Sequence, residues 1–460
     1  MSDTARNDPA EVGDDNVADD GQTVELPDLN PRGTRQQWTR SALASVDVDA
    51  QSDSDGATHV PDVVCGTGHG VVRAYADDGT ELWHVDLGGM VVQFETAVVD
   101  DEPVVLVGTR GETAMLALLD AVEGTQRWTH DLEADLGSAT KETLFYYPMT
   151  VDLASDAAES GHSDDGHFYA AARRYERQDG DRLFESRIYA IEPDGEVAWT
   201  YDADGSPISL DRRDDRLAVA YNRCHGDHQC GLVVLDPDSG EPELTWDPGT
   251  EGGRRVGDVA LDEDGVVVAS HGDYRGYALD RGGRERWAVD LGTPVDCDED
   301  TVYTYPNRVE VVDGQPLFVT GNSFPEGDGR DTDARHPREH TLVAVDGDGD
   351  EEAVSASIAW TTPVDGWLGG LEVAGDGSTL RLAVGQHFRD RDPASHGLRT
   401  VDLDAGTATK TPVAGVAAAV ADVSNQSADA GDRVAVLEEP IAYHTEDESR
   451  GAHRLHFVDG

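Results

Sequence analysis

The chain has 460 residues, 93 of them acidic and 35 basic, for a formal net charge of −58 at pH 7. Charge of that sign and size argues against nucleic acid or an anionic membrane as the main partner, because both would repel it. Eight tryptophans and regular apolar runs argue against a wholly disordered acidic chain, and no run approaches the ~20 apolar residues that a membrane-spanning helix needs.

Lysine occurs only at Lys141 and Lys410, so arginine carries nearly all the positive charge. In dilute buffer the acidic excess would repel itself and loosen the fold. At about 1 M salt the screening length shrinks to about 3 Å and most of that repulsion disappears. The composition is therefore of the halophilic type.

In chain order, residues 1–30 are polar and acidic, with no apolar stretch of signal-peptide type, and are expected to form a disordered tail. Four cysteines (Cys65, Cys224, Cys230, Cys297) are too few for a disulfide framework, and together these features favour the cytoplasm. From residue 31 onward one phrase recurs: a short alternating strand, an Asp/Gly turn, a second strand, then Trp. It reads VVRAYADDGTELW at 71–83, AMLALLDAVEGTQRW at 114–128 and RIYAIEPDGEVAW at 187–199. It returns as GLVVLDPDSGEPELTW at 231–246, GYALDRGGRERW at 276–287 and, more loosely, at 341–360. A degenerate copy at 397–410 ends on Lys410 in place of Trp. Asp-Gly between alternating strands is a hairpin signal, since Gly accepts the positive φ of tight turns. A second strand pair precedes each phrase, as in PVVLVGT (103–109) and RLAVAYN (216–222), which makes four strands per repeat.

The chain stops at HRLHFVDG (453–460), the first half of the phrase, and its second half, GTRQQW (33–38), stands near the start. Joined, they make an eighth copy. The expected fold is all-β: a single eight-bladed β-propeller of four-stranded antiparallel blades over residues 31–460, closed where an N-terminal strand pairs with the C-terminal segment. The Trp of each copy is expected to pack between blades.

Loops between second and third strands share one face and collect unusual residues. They contain Arg174 and Tyr175, then Asn222 and Arg223, then His271 and Arg275, then Asn322, then His387 and Arg389, and finally His444. Arginine presents a planar fork suited to carboxylate or phosphate. One reading makes this face a binding site for an anionic small molecule or a protein partner. The other has these arginines pair with nearby Asp and Glu to keep the loops from repelling one another. Phe145, Tyr146, Tyr147 and Trp367 fall near the same mouth, where they could stack on a planar ligand or plug the channel.

The sharpest local group is Cys224-His225-Gly226-Asp227-His228-Gln229-Cys230. Cys224, His225, His228 and Cys230 have the ligand types for zinc or iron, though the spacing is not that of a zinc finger. A Cys224–Cys230 disulfide and a plain polar loop are the competing readings. His336 and His340 have i,i+4 spacing, but Pro337 between them argues against a helical metal pair. The acidic run from Asp346 lacks the Gly that a calcium loop needs at its sixth position.

The strand, Asp-Gly turn, strand and Trp phrase resembles the pyrroloquinoline-quinone-like propeller repeat. The resemblance implies the fold over nearly the whole chain and little about function. One branch of that family, the quinoprotein dehydrogenases, binds the quinone in the channel with calcium and a catalytic Asp. This chain has no adjacent cysteines and no segment that matches the quinone site, so the quinone is not expected. It is more similar to the branch of the non-enzymatic lipoprotein of the outer-membrane assembly machine, whose signal it lacks. The resulting expectation is a non-enzymatic binding or scaffold propeller with no catalytic residue. The alternative is a cofactor- or metal-dependent enzyme or metallochaperone.

Overall fold

The computed structural model describes residues 21–33, 40–46, 60–156, 166–250, 253–297, 300–327, 332–347, 356–375, 377–387, 392–423, 433–443 and 449–459. Among them, eight antiparallel four-strand arrays follow one another along the chain, the second and third joined into one sheet by a bridge between Arg110 and Met149. Seven span residues 42–86, 90–131, 149–203, 205–246, 256–290, 300–363 and 368–411, and the eighth joins residues 416–459 to Gln22–Glu25. The sixth carries an additional edge strand, Val295–Cys297. The first strands of all eight line one central cavity, with Ala42, Phe94, Asp152, Asp211, Asp258, Glu310, Leu371 and Ala419 on its wall.

Burial follows strand position. Second strands such as Glu102–Arg110 and Arg216–Cys224 are almost wholly buried, as their Val- and Ala-rich sequences require. Fourth strands such as Glu81–Asp86 and Gln126–Asp131 alternate between exposed and half-buried residues, as an outer edge should.

Two repeated contacts hold neighbouring sheets together. The first is the repeat tryptophan. Trp83 Nε1 donates to Ala121 O at 2.8 Å, Trp128 Nε1 to Pro193 O at 3.0 Å, and Trp199 Nε1 to Pro237 O at 2.8 Å, each in the next sheet's outer turn. The indole lies on that turn's glycine: Gly124, Gly195 and Gly240 have φ of 69°, 93° and 71°, and a Cβ there would come within 2.7 Å of the ring. The glycine is thus required for its left-handed backbone and again for its missing side chain. The repeat Trp is an inter-sheet packing residue, as its recurrence implies.

The second contact runs around the channel. Asp152 Oδ2 accepts from Leu210 N at 2.9 Å, Asp211 Oδ2 from Leu261 N, and Asp258 Oδ2 from Val309 N at 2.9 Å. Each first-strand carboxylate therefore satisfies a backbone N–H of the next first strand, which has no strand partner on that side. Glu95 Oε1 also reaches the next first strand but accepts there from a side chain, Ser155 Oγ, at 2.7 Å. Burial pushes the carboxyls of Glu95, Asp152, Glu310 and Glu372 up to about 7, and that of Asp258 upward as well.

The seam departs from the expected pairing. The strand that completes the eighth sheet is Gln22–Glu25, antiparallel to Arg454–Asp459 with Gln22 opposite Phe457 and Glu25 opposite Arg454. It lies inside the stretch expected to be a disordered tail, so the folded part begins earlier than residue 31. Residues 1–20 lie outside the described residues, as does most of the 33–38 segment proposed for this role, Trp38 included. Its described start, Arg32–Gly33, pairs instead in parallel with Ile441–Ala442. The physical reason is side-chain alternation: Leu26 is buried and Val24 half-buried against the core formed by Val63, Tyr75, Leu437 and Phe457. Arg32 then inserts at the seam, where its fully buried guanidinium lies 3.3 Å from Glu439 Oε2, while Arg40 N donates to Glu439 Oε1 at 2.7 Å.

Candidate functional site

The face that carries the loops between second and third strands holds most of the distinctive chemistry. Tyr303 and Tyr305 alternate along the strand Asp300–Val312 and so project to the same side. Phe324 stands opposite Tyr303 in the strand register. Tyr274, in the turn of the fifth sheet, adds a fourth ring 4.6 Å from Tyr303. Tyr305 and Phe324 are 5.6 Å apart, and the Arg254 guanidinium lies 4.6 Å over Tyr305. All five residues are partly exposed. Burial and the neighbouring Tyr305 push the Tyr274 hydroxyl up to about 12, so it is neutral at ordinary pH. Tyr274 has φ of 67°, a conformation that costs a large side chain of order 1–3 kcal/mol and is tolerated when something else holds it.

Beside this patch the channel opens. Its mouth is a cavity of about 340 Å³ lined by Arg110, His271, Asn307, Asn322, His340 and Trp367 among others. Asn222 Nδ2 donates to Val256 O at 3.0 Å and lies 2.7 Å from His271 Nδ1, so two residues selected from sequence do meet. Burial, with Arg254 nearby, pushes His271 down to about 3, leaving a neutral ring at the mouth. Leu144 and Phe145 are exposed, and Arg110 Nη2 donates to the Leu144 carbonyl at 3.1 Å.

A second cavity, about 430 Å³, lies between the loops of the sixth and seventh sheets. Glu339 and His340 come from the first loop and His387 from the second. One ligand atom from each of the three lies within 4.8 Å of the other two, and among the described residues they are the one such group of three metal-ligating side chains. Glu339 Oε1 accepts from Ser323 N at 3.1 Å, and His340 Nε2 lies 3.0 Å from Asn322 Oδ1. Burial works against the Glu339 carboxylate, but His387 and the Ser323 amide outweigh it and hold the group down at about 2. Burial, reinforced by His387, pushes His340 down to about 4.

The structure does not gather the cysteine loop into such a group. Cys224 and Cys230 are free thiols, and buried Cys224 Sγ donates to Cys230 O at 3.4 Å. Burial pushes the Cys224 thiol up to about 12, far from a ready thiolate ligand. His228 packs on Tyr221 with ring centroids 4.2 Å apart, and His225 lies against Gly253. Asp204 holds the tip by accepting from Asp227 N and His228 N at 2.6 and 2.7 Å. Of the three readings open for Cys224, His225, His228 and Cys230, the zinc or iron site finds no clustered group of three donors among the described residues, since Cys224, His225 and His228 lie at packing positions.

Several chosen arginines are engaged locally. Arg174 and Tyr175 belong to a long hairpin strand, Phe168–Gln178, and not to an irregular loop. Arg174 Nε donates to Leu136 O at 2.6 Å and its Nη1 lies 3.2 Å from Glu176, while Tyr175 stacks on Tyr146 at 4.9 Å. Arg223 bridges to Arg254 through backbone, and Arg275 is exposed, its guanidinium charge favoured by a hydrogen bond with Tyr277. Arg389 and His444 lie outside the described residues. Sequence reasoning passed over Tyr303, Tyr305, Arg254 and Glu339. The first two had a legible signal in T-V-Y-T-Y-P, where alternating Tyr marks one face of a strand.

No helix among the described residues is long and apolar enough to cross a membrane. No curated protein matches the chain in sequence. Among solved structures it is similar to BamB from Moraxella catarrhalis, at 12% identity and a TM-score of 0.50, with 95% of this chain and 98% of that one covered. It is also similar to quinohemoprotein alcohol dehydrogenase from Comamonas testosteroni, at 14% identity and a TM-score of 0.53, covering 86% and 72%. A third is Sqt1 from Saccharomyces cerevisiae, at 10% identity and a TM-score of 0.50, covering 86% and 92%. At these identities the likeness is one of fold. The profile described as outer membrane protein assembly factor BamB matches residues 68–315, more than half of the chain, and the protein belongs to that family.

Proposed function

We propose that the protein is a non-enzymatic binding scaffold: a closed eight-bladed propeller whose loop face captures a protein partner. The observation that carries this reading is the patch of Tyr274, Tyr303, Tyr305 and Phe324 with Arg254 over Tyr305. Aromatic rings and arginine dominate the energetic centres of protein interfaces, because they offer large area with few rotatable bonds. Tyr303, Tyr305 and Phe324 are held on two paired strands, Tyr274 on the turn beside them, and all four stay partly exposed. Membership of a family described as an assembly factor supports the reading. A site for an anionic small molecule at the Arg110 and His271 mouth is the narrower form of the same proposal.

The test is chemical cross-linking in high salt from the native extract, with a patch variant, Arg254→Glu with Tyr303→Ala and Tyr305→Ala, beside the wild type. Arg281→Ala, in an exposed outer turn on the opposite face, is the control. One saturable partner should cross-link to wild type and control. Loss of one interface centre costs about 2 kcal/mol or more, so the patch variant should bind about 30-fold more weakly. Equal capture by the patch variant would place recognition elsewhere.

A further inference from the structure

We infer that Glu339, His340 and His387 form a site for a divalent transition-metal ion of the zinc class. The inference stands independently of any partner at the aromatic patch.

The side chains are buried, with Glu339 only 6% exposed, and one oxygen of Glu339 has no partner within hydrogen-bond reach. Its Oε1 is satisfied by Ser323 N, whereas Oε2 is buried and unpaired. The nearest cationic atoms to Oε2 are His387 Nε2 at 3.8 Å and Arg335 Nε at 3.9 Å, both too far to hydrogen-bond. A buried carboxylate oxygen with no hydrogen-bond donor is costly until a proton, a water or a cation joins it.

The backbone is shaped for convergence. Glu339 and His340 are neighbours in sequence, and in an extended strand their side chains would point apart. His340 has φ of 47°, and Tyr274 is the other described residue that is neither Gly nor Asp with a positive φ. That left-handed turn brings both side chains toward His387 on the adjoining loop. Asn322 Oδ1, 3.0 Å from His340 Nε2, fixes the ring, as the outer-shell partner of a metal-bound imidazole does. His336 is not a ligand: its Nδ1 accepts from Arg338 N at 3.1 Å and its Nε2 lies 3.2 Å from Thr293 O.

Two imidazoles and one carboxylate are the donor set of an open zinc-class site, with three protein ligands and a position left for water. Ligand atoms on one ion at about 2.1 Å stand roughly 3.4 Å apart, so the group needs to contract only slightly. The open position faces the 430 Å³ cavity, whose wall also carries Asp365 and Asp392, and negative charge there favours entry of a cation.

The experiment uses full-length protein, stripped with chelator and kept in high salt. It is titrated with Zn²⁺ by calorimetry and with Co²⁺ by visible absorption. Wild type should take up one ion with micromolar or tighter affinity, and Co²⁺ should show the intense bands of a low-coordinate site. His387→Gln and Glu339→Gln should abolish these bands, and Asn322→Ala should weaken binding about 10- to 100-fold. Cys224→Ser and His336→Ala should bind as wild type does. Melting of the metal-free variants shows that each is folded. The absence of stoichiometric uptake by wild type overturns the inference. So does uptake unchanged in His387→Gln, or uptake lost in Cys224→Ser, which would move the ion to the cysteine loop.

Discussion

Moving the protein from about 1 M to about 0.1 M potassium chloride should lower its melting temperature by on the order of 20 °C. The net charge of −58 is distributed along the whole chain, and only 35 basic residues offset it. At the lower concentration the screening length is about 10 Å, which spans neighbouring sheets, whereas at the higher one it is about 3 Å and exposed carboxylates hardly sense one another. Many surface arginines already sit among several acids, as Arg281 does with Asp214 and Asp215, so local pairing cannot absorb the excess. Scanning calorimetry across a salt series measures this directly. An osmotically matched sucrose solution should not replace the salt, since it leaves the charges unscreened. A melting temperature flat across the series would mean that self-repulsion is not the controlling term.

The second large effect is on the alkaline side of the pH profile. Glu95, Asp152, Glu310 and Glu372 have carboxyls raised to about 7 by burial. In the unfolded chain they would ionise near 4. Between those values the folded state holds protons that the unfolded state has released, so stability falls as pH rises through 7 and then levels off. Charged groups facing them do not cancel this: Arg308 is half-exposed, and Arg381 is bound to Asp422. The buried histidines act in the opposite sense at lower pH. His271, at about 3, and His396, at about 4, bind fewer protons folded than unfolded, so their contribution is lost as pH falls below about 6.5. The four carboxyls outnumber the two histidines, so in high salt the melting temperature should decline from about pH 5 to about pH 8, by on the order of 5 °C, and level off above that. Asp152→Asn with Glu372→Gln should shrink the alkaline fall while keeping an amide oxygen to accept the backbone hydrogen bond. An unchanged fall in that double variant would locate the titration outside the channel.

Much of the fold was legible because the repeat is written twice. Trp marks the outer strand and Asp-Gly marks the turn on which the neighbouring indole lies, so Trp128 and Gly195 identify each other across 67 positions of chain. The closing strand was harder to find. Gln22–Glu25 has one apolar residue, Val24, and stands in an acidic stretch whose composition resembles a solvated tail. Its identity as a strand comes from the edge it meets at Arg454–Asp459, which local sequence does not contain.

The site divides in the same way. Asn222, His271, Asn322 and His387 stood out as polar residues at ends of apolar strands, and all four are buried on the loop face. The partners that give them meaning come from other elements: Glu339 reaches His387 from a neighbouring sheet, and Arg254 reaches Tyr305 from a connection. The Cys224–Cys230 group misled because closeness in sequence is not convergence in space. Its thiols and rings pack against Tyr221, Gly253 and their own backbone.

The proposed ring closure would give the eight sheets a common channel and a single loop face, and a pair of truncations tests it. Hydrogen exchange should be measured in high salt on chains that begin at Gly21 and at Pro27. The longer one keeps Gln22–Glu25 and should protect Arg454–Asp459 and Arg433–Glu439 as the full chain does. The shorter one loses that strand, and both segments should exchange rapidly while Arg216–Cys224, on a distant sheet, stays slow. Equal protection of Arg454–Asp459 in the two truncations would contradict a ring sealed by the N-terminal strand.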